Sequence, residues 1–345
     1  MRARLALLVL TATLAGTIAL IGKQSRAQSG DAEKAFFKGK VVKLIVGSGT
    51  GGGFDGYARM IAPYIAKALG GSVIVENQPG AGGISALDKL LDAPPDGLTI
   101  MFANGSAAAL AQLVGQSGVR YDIGKFGHLG TVIASPVIWL VSPHSPIAKP
   151  EDAMASGTRI TWLSSGPIDG LSDSAAFACA ALHLSCRIAM GYPSSGEAAL
   201  AVGRGQMDAM AISDISAHEF VAAGHARAVA AMGRRRSPLF PDTPTIFESV
   251  ALDSDQAWLF DFHDTLENLG RILIAPPNLA PARLAVLQAA VKQALEDPAL
   301  IAEGERAHRP VVYTDAEANR KTAIDDVDAI SPEQRQRVKS ILTLQ

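Results

Sequence analysis

The feature that most constrains this chain is a recurring unit: a short β-branched run, a glycine-rich turn, then an amphipathic helix. Val41-Val42-Lys43-Leu44-Ile45-Val46 runs into Gly47-Ser48-Gly49-Thr50-Gly51-Gly52-Gly53. The spacing of Ala58, Ile61, Ala62, Ile65 and Leu69 predicts a helix over residues 55–69, stopped by Gly70-Gly71. Ser72 to Glu76 reads as a second strand, Asn77 to Gly83 as a second glycine loop, 84–91 as a helix and 98–103 as a strand. Strands separated by helices pair in parallel through right-handed crossovers, so the chain is expected to be α/β.

The unit returns further on. Strands are expected over 137–141, 159–163, 188–192, 207–212 and 226–232, with helices over 171–183 and 197–204. A strand over 272–275 and a helix over 282–296, bracketed by Pro281 and Pro298, follow. Arg234-Arg235-Arg236-Ser237-Pro238 reads as a surface turn where the chain crosses. A length of 345 residues suits about two domains, each able to bury a core. With 48% hydrophobic residues, 33 unpatterned glycines and two cysteines, the chain is neither disordered, collagen-like nor a disulfide scaffold. A formal net charge of −2 provides no basic stripe for nucleic acid.

The N-terminus has its own logic. Arg2 and Arg4 precede an apolar run from Leu5 to Gly22, and Ser25-Arg26-Ala27 closes it with a small-x-small triplet, the layout of a secretory signal peptide cleaved near Ala27. Cleavage of residues 1–27 leaves 27 basic against 33 acidic residues, a net −6, in a chain expected to be periplasmic. The other layout is an uncleaved anchor, since 18 residues is the lower limit for a span. Export permits a disulfide between Cys179 and Cys186. On one straight helix their Cα atoms would lie about 10 Å apart, too far to bond, whereas a reversal around His183 to Ser185 would bring them together. Both arrangements, a disulfide and two buried thiols, are compatible with the spacing.

Gly47-x-Gly49-x-x-Gly52 between strand and helix, with Glu76 ending the next strand, outlines a dinucleotide fingerprint and raises an NAD-binding oxidoreductase as one reading. Export argues against it, but a glycine turn at a helix N-terminus still offers N–H groups to any anion. Other catalytic templates are missing: His218-Glu219 lacks the second histidine of a zinc site, and no nucleophile motif is present. His263 beside Asp261 and Asp264 reads as a solvated loop cluster, and Asp169 and Asp173 as acids of a helix start. No metal or cofactor is expected. What remains is a set of loops at strand carboxyl ends, where ligands of open α/β sheets bind: Thr50 to Asp55, Asn77 to Gly83, Asn104 to Ser106, Ser164 to Ser172, Tyr192 to Gly196 and Ser213-Asp214. Such loops can bind but hold no reaction centre.

At these residues the chain becomes recognisable. Gly51-Gly52-Gly53-Phe54-Asp55-Gly56-Tyr57-Ala58-Arg59, Glu76-Asn77-Gln78-Pro79-Gly80-Ala81-Gly82-Gly83 and Pro95-Asp96-Gly97-Leu98-Thr99-Ile100 resemble the substrate-binding receptors of tripartite tricarboxylate transporters, the Bug family. Gly205-Gln206-Met207-Asp208-Ala209, Pro241-Asp242-Thr243-Pro244-Thr245 and Ala275-Pro276-Pro277 continue the likeness, which covers most of the mature chain. The resemblance implies a fold like the type II periplasmic binding proteins: two α/β lobes joined by crossover strands around a central cleft. By that template residues 35–137 with 234–345 form lobe 1, and 138–233 form lobe 2. It further implies a monomeric, non-enzymatic receptor that captures a small organic carboxylate for membrane permease subunits, or for a sensor system.

Carried over by motif, the ligand-binding residues are Thr50, Gly51, Gly52, Phe54, Asp55, Asn104, Ser106, Ser164, Ser165, Asp169, Ser172, Tyr192 and Asp214. Thr50, Ser164 and Ser165 are the expected carboxylate donors, and Asp55 either contacts the ligand or caps its helix. Phe54, Gly191 and a long acidic segment over 246–271 depart from the family pattern. Phe54 either favours a ligand with an apolar or aromatic portion or packs into the core.

Overall fold

The computed structural model describes residues 32–318, 320–321 and 329–343. The expected signal peptide lies outside the described residues. Strands β1 (Val41–Val46), β2 (Ser72–Asn77), β3 (Thr99–Asn104), β4 (Gly127–Ile133), β5 (Val137–Val141), β6 (Ile160–Leu163), β7 (Cys186–Ala189), β8 (Ala209–Ser213), β9 (Arg227–Ala231) and β10 (Arg271–Ala275) divide between two five-stranded sheets. The first has the order β2-β1-β3-β10-β4 and the second β7-β6-β8-β5-β9. The named helices are α1 (32–37), α2 (Gly53–Leu69), α3 (Ile84–Leu91), α4 (Gly105–Leu113), α5 (Pro150–Ser156), α6 (Leu171–Ala181), α7 (Ser195–Gly203), α8 (Asp214–Ala222), α9 (Ile246–Ser249), α10 (Ser254–Glu267), α11 (Pro281–Leu295), α12 (Pro298–Arg306) and α13 (Pro332–Thr343).

The sheets are mixed rather than wholly parallel, and the crossovers explain why. β1 pairs in parallel with β2 and β3, so these strands end on one edge, at the cleft. β4 also ends at that edge, and only three residues separate Ile133 from Val137, where β5 begins. A strand that enters its sheet from the cleft edge runs away from it. β5 is accordingly antiparallel to β8 and β9, and β10, which follows the return crossing, is antiparallel to β3 and β4. In each sheet the reversed strand is the one that arrives from the other lobe.

Helix and strand faces bury as their periodicity requires. Ile61 and Ile65 of α2 pack with Leu44 and Val46 of β1 and with Phe102 of β3, all fully or almost fully buried. Each such side chain contributes about 1.5–3 kcal/mol of burial. In the second lobe Trp139 and Trp162 lie 5.1 Å apart at the ring centroids. The acidic segment over 246–271 is mostly helix α10, packed on α6: Phe262 lies 6.0 Å from Phe177, and Gln256 Nε2 donates to the Ala181 carbonyl at 2.7 Å. Part of the returning chain thus covers the second lobe. Cys179 and Cys186 are bonded across the end of α6 and the start of β7, with Cα atoms 6.2 Å apart. The reversal needed for this occurs at His183, which takes the left-handed conformation (φ 52°). Among the described residues, no helix is long and apolar enough to cross a membrane.

Candidate functional site

The carboxyl ends of the parallel strands of both sheets face one another across a cleft of about 810 Å³, its solvent-open mouth included. From the first lobe it is lined by Ser48, Gly53, Phe54, Asn104, Glu267 and Arg271, and from the second by Ser165, Asp169, Leu171, Ser194, Ser195, Ser213 and Ser216. The lobes touch along a seam of glycines. Gly49 N–H donates to the Pro193 carbonyl at 2.9 Å, and a Cβ on Gly49 would stand 2.7 Å from that oxygen. A Cβ on Gly166 would stand 2.5 Å from the Gly82 nitrogen, and one on Gly196 2.8 Å from the Gly51 oxygen. Real side chains do not tolerate such distances, so these glycines permit close approach of the two loops.

Three N–H groups of the glycine loop are therefore engaged within the protein instead of being turned to a pyrophosphate. Gly49 N–H serves Pro193, Gly51 N–H donates to Asp55 Oδ2 at 3.0 Å, and Gly53 N–H reaches Ser195 Oγ at 3.5 Å. Glu76 pairs with Lys43 at 3.5 Å and accepts from Gln78 at 2.7 Å instead of awaiting a ribose.

The cleft's chemistry centres on Arg271, the first residue of β10. It is 6% exposed, set in register with Asn104 of β3 and Ile133 of β4. Its Nη2 donates to Ser213 Oγ of the other lobe at 2.7 Å, and its guanidinium lies 4.6 Å from the Tyr57 ring centroid and 5.1 Å from that of Phe54. Nη1 is buried with no hydrogen-bond partner, and among the described residues no carboxylate forms an ion pair with this arginine. Burial pulls its pKa below the usual arginine range, yet a guanidinium stays protonated in proteins. A buried, unpaired cation is costly, and an anion in the cleft would relieve that cost.

Asp214 and Glu219 favour the charged form of Arg271 without forming an ion pair with it, and the two acids that line the cleft, Asp169 and Glu267, are engaged elsewhere. Asp169 is enclosed by its own loop: Ser164 Oγ (2.9 Å), Ser165 N (2.7 Å), Leu171 N (3.0 Å), Ser172 N (2.9 Å) and Ser172 Oγ (3.0 Å) donate to it, as does Ser165 Oγ. Glu267, on the last turn of α10, accepts from Ser106 Oγ at 2.8 Å. Burial first, then the charge of Asp173, pushes Glu267 well above the ordinary carboxylate range. Burial and Asp169 do the same to Asp173. A protonated Glu267 does not repel an anion.

His263 lies behind them, 1% exposed, with Nε2 2.9 Å from Ser174 Oγ. That hydroxyl gives its proton to the Gly170 carbonyl at 2.6 Å, so the imidazole nitrogen is the donor. Burial lowers its pKa to about 4, and the expected solvated cluster is instead a neutral side chain in the core between α10 and α6.

Of the residues expected at the site, Phe54, Asn104, Ser165 and Asp169 line the cleft. Ser164 and Ser165 do not present free donors for a ligand carboxylate, because the Ser164 hydroxyl is shared between the Gly166 carbonyl at 2.6 Å and Asp169, and the Ser165 hydroxyl goes to Asp169. Ser172 is buried on the same carboxylate, and Ser106 bridges Asn104 and Glu267 at 2.8 Å to each. Asp55 acts within its own helix turn, accepting from Gly51 and pairing with Arg59 at 2.9 Å. Gly51 and Gly52 form the seam against Ser194 to Gly196, and Thr50 beside them is exposed. Tyr192 packs on the second lobe's core, and Asp214 is buried at the start of α8, accepting from Ser237 Oγ at 2.6 Å. The loop expectation covers Ser213, whereas Arg271, Glu267 and Ser216 lie outside every expected loop. The available signal was slight: a cation flush against the apolar run Ile272 to Ala275 in a chain of acidic balance.

Comparison with known proteins resolves what kind of cleft this is. Residues 57–333 match the tripartite tricarboxylate transporter family receptor. The chain belongs to that receptor family. Its members are solute-binding receptors rather than enzymes. A UPF0065 protein of Bordetella bronchiseptica is 28% identical over 213 residues, covering 61% of this chain and 63% of that protein. Among solved structures, the periplasmic binding protein BugD is similar with a TM-score of 0.73 at 21% identity, covering 87% of this chain and 97% of that one. MatC of Rhodopseudomonas palustris, solved with bound malate, is similar with a TM-score of 0.64 at 24% identity, over 88% and 97% of the two chains. The receptor family thus shares the two-lobed fold seen here.

Proposed function

We propose that this chain is an exported receptor, monomeric after cleavage near Ala27, that closes its lobes on a small organic carboxylate and presents it to the membrane subunits of a tripartite transporter. The lobes are taken as 35–137 with 234–345, and 138–233, with α10 of the returning chain lying over the second. The observation that carries the proposal is Arg271: a buried guanidinium in the interlobe cleft with Nη1 unpartnered and no ion pair among the described residues. Malate bound to MatC supports a carboxylate in this setting. Each hydrogen bond to a charged group contributes about 1.5–3 kcal/mol, so the guanidinium, neighbouring serine hydroxyls and burial are sufficient for micromolar affinity, about −8 kcal/mol.

Isothermal titration of the purified protein against acetate, hexanoate, benzoate, malate and citrate, with NAD as control, tests this. At 100 times the dissociation constant a ligand adds about 2.7 kcal/mol of stability, so a thermal-shift assay gives a second readout. Binding of an acid by the wild type and its loss in Arg271→Gln is expected. Silence toward every acid, or affinity for NAD alone, overturns the proposal.

A further inference from the structure

We propose that the ligand is a monocarboxylate with an apolar body, its carboxylate on Arg271 and its body in a second chamber behind Phe54; this rests on the carboxylate-receptor function above. The chamber, about 530 Å³ with its opening, shares Ser48, Phe54, Asn104, Ser165 and Asp169 with the cleft, so the two spaces meet there. Its walls are otherwise mostly buried apolar side chains, chiefly Ile84, Leu87, Met101, Ala107, Ala108 and Ile168.

The space exists because the sequence withholds bulk on three sides. Gly47 follows the first strand, Gly82 and Gly83 close the second glycine loop, and Ala103, Ala107 and Ala108 line the end of β3 and the first turns of α4. The second glycine loop, which the carboxylate anchor leaves unexplained, is thereby given a role as a chamber wall. Phe54 connects the two spaces: its ring centroid lies 5.1 Å from the Arg271 guanidinium and 5.2 Å from the ring of Phe102, which lines the chamber. A ligand held by its carboxylate at Arg271 passes along this ring to reach apolar surroundings.

The chamber's polar groups decide against other ligand types. Among the described residues Asp169 is the one charged side chain in its lining, so a second carboxylate there would meet no cation. Asp169 is also no seat for an ammonium, since six donors from its own loop already fill its two oxygens. The Tyr121 hydroxyl is engaged by the Ala108 carbonyl at 3.2 Å. What is left is apolar surface, which selects alkyl or aromatic bodies.

The test is calorimetric titration with the straight-chain acids from acetate to octanoate, benzoate, and malate as a dicarboxylate of comparable size. Affinity should rise about fourfold per methylene while the chain fills the chamber, from about 0.8 kcal/mol per buried CH₂. Ala108→Leu, which fills the chamber, should bring the hexanoate-to-acetate ratio of affinities toward one, and Leu87→Ala should move the optimum to longer acids. Circular dichroism establishes that each variant is folded, and should Ala108→Leu fail to fold, the direction of the Leu87→Ala shift decides. A flat wild-type series, or a ratio unmoved by either folded variant, overturns the chamber assignment. Malate binding more tightly than every monocarboxylate also overturns it while leaving the receptor function standing. Binding of no acid removes both.

Discussion

Arg271 and Ser213 belong to strands in different sheets, yet the arginine Nη2 donates to the serine Oγ at 2.7 Å. The cleft's cation is thus held by the lobe opposite the one that contributes it. Its position depends on how the lobes sit, and lobe closure and anion capture act on the same side chain.

Arg271→Met should therefore separate binding from stability. Removing one partner of a buried charge pair costs about 2–5 kcal/mol, so carboxylate affinity should fall by about 30-fold or more. The ligand-free protein loses an uncompensated buried cation and should melt no lower than wild type. Arg271→Lys should not restore binding, because an ammonium cannot serve Ser213 and a carboxylate with the same planar fork. Calorimetry paired with thermal melts checks this, and an intact affinity in Arg271→Met would sink the anchor.

Gly166→Ala should hold the lobes apart. Its Cβ would stand 2.5 Å from the Gly82 nitrogen across the seam, a backbone atom that a side-chain rotation cannot move aside. Small-angle scattering should then give a larger radius of gyration than wild type with ligand present, with affinity lowered and both lobes still folded. Scattering curves that superimpose would contradict the seam.

The buried titratable groups act on stability in opposite directions, two carboxyls against one imidazole. His263 is held at about pKa 4, below its ordinary value near 6.5, so between those values the unfolded chain binds more protons and stability rises with pH. Asp173 and Glu267 are raised, so from their ordinary range upward the native state holds protons that the unfolded chain has released, and stability falls with pH. Two raised carboxyls outweigh one lowered imidazole, so these groups together should make melting temperatures fall from about pH 5 to about pH 9. Glu267→Gln removes one raised carboxyl, so it should leave His263 and Asp173 nearly cancelling below about pH 6 and make the fall above it shallower; an unchanged slope would rule Glu267 out as its source.

Replacing Cys179 and Cys186 by serine should cost about 2.4 kcal/mol, from the loop-entropy relation for a separation of seven residues. The loss is expected in the melting temperature and not in ligand affinity, since the bridge closes the end of α6 on the face of the second lobe away from the cleft residues. An equal Tm for the oxidised protein and the double variant would deny the bridge any stabilising role.

What was legible in the sequence divides along the range of the interactions involved. The α11 helix, Pro281–Leu295, and the α3 helix, Ile84–Leu91, follow from local periodicity and from proline and glycine punctuation, and their expected limits lie within one residue of the structure. β7 occupies Cys186–Ala189 rather than 188–192, because pairing with β6 through Ile160 to Leu163 fixes its register and the disulfide begins it. α10 was hidden by its composition: Asp253, Asp255, Asp261 and Asp264 mask the apolar face of Leu259, Phe260, Phe262 and Leu266. At the cleft, loops were legible but roles were not. Ser164 and Ser165 look like ligand donors until the chain folds Asp169 into their grasp. Arg271 looks like an ordinary strand edge until a strand from a distant part of the chain carries it beneath Phe54 and Tyr57.

The placement of β10 between β3 and β4 also orders the events of folding. The second sheet draws all its strands from one continuous stretch, Val137 to Ala231, and can assemble once that stretch is available. The first sheet cannot: until residues 271–275 arrive, β3 and β4 have no strand between them and expose unpaired edges. The first half of the chain must therefore wait for the last third, a contact of long sequence separation of the kind that slows folding. Chains ending before Arg271 leave one lobe open at its centre and, in the same cut, lack the cation of the cleft, so a receptor with an unfinished first sheet is also a receptor without its anion anchor.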